Sequence, residues 1–365
     1  MEYILAIGLV LIGIYSYRKM TSVSRKLYFS LILFYVILLV GFRYKVGIDT
    51  LNYMNGYPFL PSFENIWNKY IFEERFEPGY LFVCGICKLI TPEFWLVQLV
   101  MGAITNSCIF LFLYRNCKNP FIGIFLYFIF QCLYFSVEII REGAAVGIFL
   151  VNYKNIESKR LIKYYLLSLL SIAFHYSAII IWLIPLIRYL HFNYIYICLL
   201  LVLFLITPLV SQLNSHLTFL SIAGRVESSV EGAETLNFNW RVAEFIKSAF
   251  PSITTLYVMH KYKIDEKFKR FALLQILFCA GAFAIPIIFA RFTNYTSVFI
   301  VVLMANLLYS SRLSTTFKSW FVCFLLLSQA NYYRTMKDAW IPYVSIFDPY
   351  TVQQREDLWW KYFHS

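Results

Sequence analysis

A small set of charged and protonatable residues has the chemistry to bind an anionic ligand and to move a proton. Each lies at or just beyond the end of a strongly apolar stretch, and the set is Arg43, Glu138, Arg141, Glu142, His175 and Arg291. Placing an ionised side chain near the hydrocarbon of a bilayer costs free energy. A charged residue in such a position is therefore first considered as a functional residue. The planar guanidinium of arginine gives two parallel hydrogen bonds to a phosphate. Arginines converging on one face therefore predict a site for a lipid phosphate or diphosphate.

Structural explanations exist for the same residues. An arginine at the end of a span can extend to the lipid headgroups, and Glu138 and Arg141, at positions i and i+3, can pair on one helix. A histidine such as His175, inside an apolar stretch, is also explained as a hydrogen-bonded packing residue. Asp49 follows Gly47, which permits a tight turn. Asp49 is either an acceptor for sugar hydroxyls or part of a salt bridge or Asx turn.

The elements that must position these residues are long apolar blocks. The chain is 60% hydrophobic and only 14% charged, whereas a soluble domain is about one quarter charged. Such blocks are typical of membrane spans, and the sequence predicts an all-α, polytopic transmembrane helical bundle of about 11 to 13 spans. The blocks cover residues 3–17, 27–42, 79–91, 94–114, 121–136, 143–153, 161–174, 177–190, 194–210, 242–260, 271–290, 293–309 and 320–332.

Basic loops predict the orientation of the chain. The net charge of +12 is explained by lysines and arginines in cytoplasmic loops rather than by nucleic-acid binding. Basic residues between 18 and 26, 154 and 163, and 261 and 270 place these loops in the cytoplasm and the N terminus outside. We therefore expect a single transmembrane domain, 1–333, with larger external loops at 43–78 and 211–241. Block 79–91 is predicted to be re-entrant or interfacial, and the tail, 334–365, to be external.

Several short motifs resemble those of one known family. Residues 43–53 match the pattern R-x-x-x-G-x-D-x-x-x-Y, which resembles the signature after the second span of EpsG-family proteins. Further elements follow in the same order as in that family, at 76–80 (F-E-P-G-Y), 140–145 (I-R-E-G-A-A), 174–178 (F-H-Y-S-A) and 291–295 (R-F-T-N-Y). The chain departs from the family at Glu142, where Gln is common, and at Gly143, where a larger apolar residue is usual.

The resemblance implies an enzyme of polysaccharide assembly. EpsG-like proteins resemble Wzy-type O-antigen polymerases, membrane glycosyltransferases similar to the GT-C type that serve lipopolysaccharide or exopolysaccharide biosynthesis. The resemblance implies that the protein joins oligosaccharide repeat units that are carried on undecaprenyl diphosphate. The reaction would take place at the outer face of the bacterial inner membrane. The diphosphate is already a good leaving group, so no metal or other cofactor is required. The implied partners are the lipid-linked donor and acceptor, membrane lipids, a chain-length regulator and a flippase, with no nucleic acid.

The resemblance also suggests roles for individual residues. The diphosphate would be bound by Arg141 and Arg291, with Arg43 and Arg241 as third and fourth candidates. The general base for the attacking hydroxyl would be His175 or Asp49, with His175 slightly favoured. Tyr53 and Tyr295 are expected to stack on sugars or to anchor at the interface, and Glu138 and Glu142 to support the site.

Three other functions would account for some of the same features. A flippase or transporter of the same lipid-linked oligosaccharide would also need basic residues, lining a cavity reachable from both sides, and such proteins tend to contain internal repeats. A glycan-modifying membrane acyltransferase would need a base near a cytoplasmic acyl-donor path, whereas His175 is predicted on the external face. A non-catalytic scaffold leaves the arginine set unexplained. The pair Cys84 and Cys87 is best explained by helix packing.

Overall fold

The chain forms two compact units, Met1–Trp182 with Gln329–Ser365, and Leu183–Ser328. The computed structural model describes residues 2–66, 76–189, 238–264, 266–284 and 286–348, together with 353, 355–357 and 360. Most of the predicted external loop 211–241 lies outside these residues, as does the predicted span 194–210.

Among the described residues of the first unit, eight α-helices lie before residue 182 and a short one lies at Lys337–Trp340. α5 is its central helix, because it packs against α2, α4, α6 and α7, while α7 also packs against α8 and α1 against α2 and α6. The helices are α1 (Glu2–Ser16), α2 (Ser22–Gly41), α3 (Ile48–Gly56), α4 (Pro78–Ile90), α5 (Trp95–Asn116), α6 (Pro120–Phe130), α7 (Ile140–Glu157), α8 (Leu161–Phe174) and α13 (Lys337–Trp340).

The second unit is built on three helices that pack on one another, α9 (Phe238–Lys261), α10 (Lys269–Ala284) and α11 (Pro286–Tyr309). The rings of Phe271 and Phe299 stack with their centroids 3.7 Å apart where α10 meets α11. A further helix, α12 (Thr315–Thr335), begins in this unit. α11 begins at Pro286, where proline is favoured in the first turn of a helix, and it continues through Arg291, where the apolar blocks predicted a break.

The helical membrane architecture is confirmed at the level of class. No β-strand occurs in the described part of the chain, where the extended backbone forms only an isolated bridge between Arg43 and Ser345. Within the part of the chain that the structure describes, three helices are long and apolar enough to cross a bilayer, namely Ser22–Gly41, Trp95–Asn116 and Ile288–Tyr309. Five shorter apolar helices lie in the described residues. The count of 11 to 13 spans, the orientation and the GT-C resemblance stay predictions.

Arg141 and His175, two of the candidate site residues, lie where the apolar helices are interrupted. α6 stops at Phe130, a single π-helical turn follows at Tyr134–Glu138, and α7 begins at Ile140. α8 ends at Phe174, and a 3₁₀-helical segment runs from Tyr176 to Tyr189. Broken helices at membrane depth are tolerated where they face protein or a watery cavity, and π-turns often mark functional sites. Arg141 and His175 lie at these two breaks.

The segment after α2 contains α3, which the sequence did not predict because the segment is polar. Gly47 is the residue before α3 and has φ of 102°, a conformation that residues with a β-carbon rarely adopt. A β-carbon there would also collide with the Val137 side chain. The tight turn expected at Gly47 is therefore present, and it directs α3 against the π-turn.

Candidate active site

Arg141 is the cation around which a polar cluster assembles. It lies in the first turn of α7, and its Nη1 forms an ion pair with Glu77. Its Nε donates to the hydroxyl of Tyr53, 3.4 Å away. The guanidinium has five N–H donors, and its side chain keeps 16% exposure. Arg141 is thus held in place on one side while still reachable from outside the protein.

Three aromatic rings surround the guanidinium of Arg141. Its central carbon lies 4.9 Å from the ring centre of Phe76, 5.4 Å from that of Tyr53 and 5.9 Å from that of Tyr80. These rings also contact each other, with centroids 5.5 to 6.1 Å apart. A cation over aromatic faces is stabilised by about 0.5–2 kcal/mol per contact, more when it is removed from water. The rings therefore fix the direction in which Arg141 points.

His175 is linked to two carboxylates. Its Nδ1 is 2.6 Å from the Oγ of Ser177, and that hydroxyl lies 3.4 Å from the Oε1 of Glu142. Its Nε2 is 4.0 Å from the Oε1 of Glu77. Two tautomers fit these contacts. If Nδ1 accepts from the backbone N–H of Ser177, 3.3 Å away, Nε2 carries the hydrogen. If Nδ1–H donates to Ser177 Oγ, which in turn donates to Glu142, Nε2 holds the lone pair that can take a proton. Both carboxylates are buried, with exposures of 3% for Glu77 and 1% for Glu142.

Gly79 allows the helices that carry these groups to approach each other. It follows Pro78 in the first turn of α4, and a β-carbon at this position would lie 2.7 Å from the carbonyl oxygen of Ala173 at the end of α8. The close approach brings Glu77, which precedes α4, next to His175, which follows α8. Because His175 is extended (φ −158°, ψ 126°), it ends α8 and directs the chain into the 3₁₀ segment.

We call the resulting group the Arg141 cluster, and it consists of Tyr53, Glu77, Arg141, Glu142, His175 and Ser177. Four of its members, Tyr53, Arg141, Glu142 and His175, were predicted from the sequence as site residues. The structure brings these four together from three separate segments, and Glu77 comes from a fourth. Glu77 and Ser177 were not predicted. Both had a usable signal, because Glu77 lies inside the motif at 76–80 and Ser177 inside the motif at 174–178. Pro78 also predicts that a helix begins directly after Glu77.

Arg43 has a different environment. It is 1% exposed, and its guanidinium donates to the backbone oxygens of Val40 and Val46 and, over 3.0 Å, to the hydroxyl of Thr50. Burial lowers the pKa of Arg43 to about 10, which still leaves it charged at neutral pH. A cation satisfied by internal acceptors in this way supports a structural role, fixing the turn between α2 and α3, over contact with a ligand.

Glu138 joins this turn to the C-terminal segment. One oxygen accepts from the backbone N–H of Asp49 at 2.9 Å, in the first turn of α3, and the other from the indole N–H of Trp340 at 2.6 Å. A carboxylate at a helix N-terminus satisfies an unpaired amide and complements the helix dipole. Gly47 has no side chain to do this for α3. In the described residues, both oxygens of Glu138 are engaged by these two bonds and neither bonds Arg141. The expected i, i+3 pair of Glu138 and Arg141 is therefore not formed.

Replacing Trp340 tests this bond. Trp340→Phe keeps a ring against Val46 and Val137, its neighbours in a buried apolar cluster, but removes the donor to a buried carboxylate. We expect a loss of about 1–3 kcal/mol in the free energy of unfolding, measured by thermal unfolding in detergent. Trp320→Phe is the control, because Trp320 is 70% exposed. Equal melting temperatures for the two variants would contradict this role for Glu138.

The remaining predicted residues belong to the second unit. Arg291 is half-buried and Tyr295 fully buried, both on α11. Arg241 lies in α9, but its side chain is outside the described part of the chain. Their assignment as phosphate ligands or supporting residues stays a prediction. Within the described residues, no group of three or more His, Cys, Asp or Glu side chains is arranged to hold a metal ion.

These features define a helical membrane protein with a buried ionic cluster at breaks between its helices. A model of the EpsG family matches residues 26–345, nearly the whole chain. The chain therefore belongs to the EpsG family, a family of membrane proteins resembling Wzy-type polysaccharide polymerases. Comparisons with curated proteins and with solved structures gave no match.

Proposed function

We propose that this protein is a polysaccharide polymerase that joins oligosaccharide repeat units carried on a polyprenyl diphosphate such as undecaprenyl diphosphate. The observation that carries the proposal is the Arg141 cluster, in which a partly exposed arginine and a histidine share one buried carboxylate. The reaction needs a cation for the departing diphosphate and a group that accepts the proton of the attacking hydroxyl. Family membership supports the same reaction class.

In the proposed reaction, the hydroxyl of an acceptor unit attacks the anomeric carbon of the donor glycan. A new C–O bond forms to the acceptor oxygen, and the bond from the anomeric carbon to the diphosphate breaks, its electron pair leaving on the diphosphate oxygen. Arg141 stabilises that negative charge by charge-assisted hydrogen bonds. The proton from the acceptor hydroxyl passes to Nε2 of His175. This transfer needs the tautomer with the hydrogen on Nδ1, and the contacts from Nδ1 to the Ser177 hydroxyl and from that hydroxyl to Glu142 are compatible with it.

We also propose the setting that the sequence predicts, the outer face of a bacterial inner membrane. There the repeat units arrive from a flippase, and a chain-length regulator acts alongside. The charge on the lipid carrier, rather than the identity of the sugars, is what the Arg141 cluster would recognise.

His175→Ala in a deletion strain tests the function. We expect the strain lacking the gene to display single repeat units without long chains, and His175→Ala to reproduce that pattern on a glycan gel, because the proton acceptor is lost. His260→Ala, at an exposed position on α9, should restore a normal ladder. Wild-type chain lengths with His175→Ala would contradict the assignment, and loss of the single repeat unit as well would indicate a flippase instead.

A further inference from the structure

Glu77 occupies the first position before α4 but does not cap that helix. Its side chain makes no hydrogen bond to the backbone of α4, although an acidic residue at a helix N-terminus commonly does so. Its two oxygens instead face two different side chains, one cationic and one protonatable. Oε2 pairs with Arg141, and Oε1 lies 4.0 Å from Nε2 of His175. With 3% exposure, Glu77 has little access to water as an alternative partner.

Binding of a diphosphate at Arg141 changes the electrostatic interactions of the Glu77 carboxylate. The ligand brings negative charge to a guanidinium that is already paired with a carboxylate, and like charges are costly in a site shielded from water. The Glu77 interaction with Arg141 must weaken as the ligand arrives. His175 is the second partner within reach, and it becomes cationic once it has taken the proton of the acceptor hydroxyl.

We propose that Glu77 is a positioning residue, a counter-ion that passes from Arg141 to His175 during the reaction. This inference rests on the proposed polymerase function and deepens it. Before substrate binds, Glu77 holds Arg141 among the aromatic rings. Once the diphosphate is bound, Glu77 supports the imidazolium, so that diphosphate binding and proton acceptance are coupled. The charges balance, because the diphosphate is then paired with Arg141 and the protonated His175 with Glu77.

A purely structural ion pair makes a different prediction. If Glu77 only held Arg141 in place, removing its charge would weaken diphosphate binding and turnover together. If Glu77 competes with the diphosphate for Arg141 and later supports His175, removing its charge leaves binding intact or tighter, while turnover falls. The two roles are therefore separated by comparing ligand affinity with kcat.

The experiment uses the purified full-length protein in detergent, with farnesyl diphosphate as the binding probe and lipid-linked repeat units for turnover. For Glu77→Gln, which keeps the shape of the side chain, we expect farnesyl diphosphate to bind as tightly as to the wild type or up to about tenfold tighter. We expect kcat to fall at least about tenfold. Glu77→Asp, which keeps the charge, should recover part of the lost turnover. Glu93→Gln, at an exposed position, is the matched control and should behave as the wild type.

Three results would overturn the proposal. Weakened binding together with lost turnover in Glu77→Gln would indicate a structural ion pair, and unchanged turnover would show that the charge is not used. Equal turnover of the Gln and Asp variants would also contradict a role for the carboxylate charge. If the wild type neither bound farnesyl diphosphate nor extended repeat units, the polymerase function would itself fail, and this inference with it.

Discussion

Arg141→Ala is expected to reduce chain extension by at least about 100-fold, the scale of losing one preorganised charge-stabilising donor. The variant removes the cation that we assign to the departing diphosphate. Arg141→Lys should recover little, because a lysine has no planar fork to contact Glu77 and Tyr53 at once and no flat face to lie against Phe76. The measurement is the rate of product formation from lipid-linked repeat units by purified protein.

Controls for Arg141→Ala must separate chemistry from folding. Removing Arg141 leaves the Glu77 carboxylate buried without its partner, which destabilises a protein whatever the site does. A double variant, Arg141→Ala with Glu77→Ala, removes both charges and should regain stability but not activity. Arg160→Ala, at an exposed position just before α8, should leave both unchanged. Normal extension by Arg141→Ala would exclude Arg141 from the diphosphate site.

Gly79→Ala should also reduce activity, although Gly79 takes part in no chemistry. The added methyl group would lie 2.7 Å from the Ala173 carbonyl oxygen and 2.9 Å from its carbon. Backbone atoms cannot move aside as a flexible side chain does, so α4 must shift away from the end of α8. The shift lengthens the 4.0 Å distance between Glu77 and His175. We expect a loss of activity of about 10-fold or more, because small misplacements of catalytic groups are costly.

Gly8→Ala is the matched control, because a β-carbon on Gly8 of α1 meets nothing within 4 Å. It should leave activity unchanged and can raise helix stability by up to about 1 kcal/mol. Both variants are compared by turnover and by thermal unfolding in detergent. If Gly79→Ala retained full turnover, the close approach of α4 and α8 would not be what positions the cluster.

The helices themselves were largely predictable from the sequence. Apolar blocks are long enough to stand out, and the block at 161–174 has the same bounds as α8. The charged residues at the block ends were also recognisable, because ionised groups are rare in such surroundings. The break at His175 followed from a polar residue inside an apolar run.

The partners of these residues were not predictable. Arg141 pairs with Glu77, which directly precedes another helix, α4, whereas helical spacing pointed to Glu138, its neighbour in sequence. Local spacing describes one helix, and the partner was decided by how α4 and α8 pack across Gly79. Helix α3 was missed because it has only nine residues, too few for a helical period to stand out in a largely polar segment. The link from Trp340 to Glu138 joins distant parts of the chain, which no local pattern reports.

The structure also changes how two predicted roles are interpreted. Tyr53 is 8% exposed, with its ring against Phe76 and Tyr80, which favours support of Arg141 over stacking on a sugar. Asp49 lies in the first turn of α3, and its backbone N–H donates a hydrogen bond to the Glu138 carboxylate. Between the two candidate bases, His175 is the one located in the Arg141 cluster.

The central claim is tested most directly by reconstituting the purified protein in lipid vesicles with a single type of polyprenyl-diphosphate-linked repeat unit. The account predicts a ladder of longer glycans with one polyprenyl diphosphate released for each bond formed, and no ladder from Arg141→Ala or His175→Ala. Movement of intact repeat units across the vesicle membrane by the wild type, with no longer glycan and no released diphosphate, would contradict it.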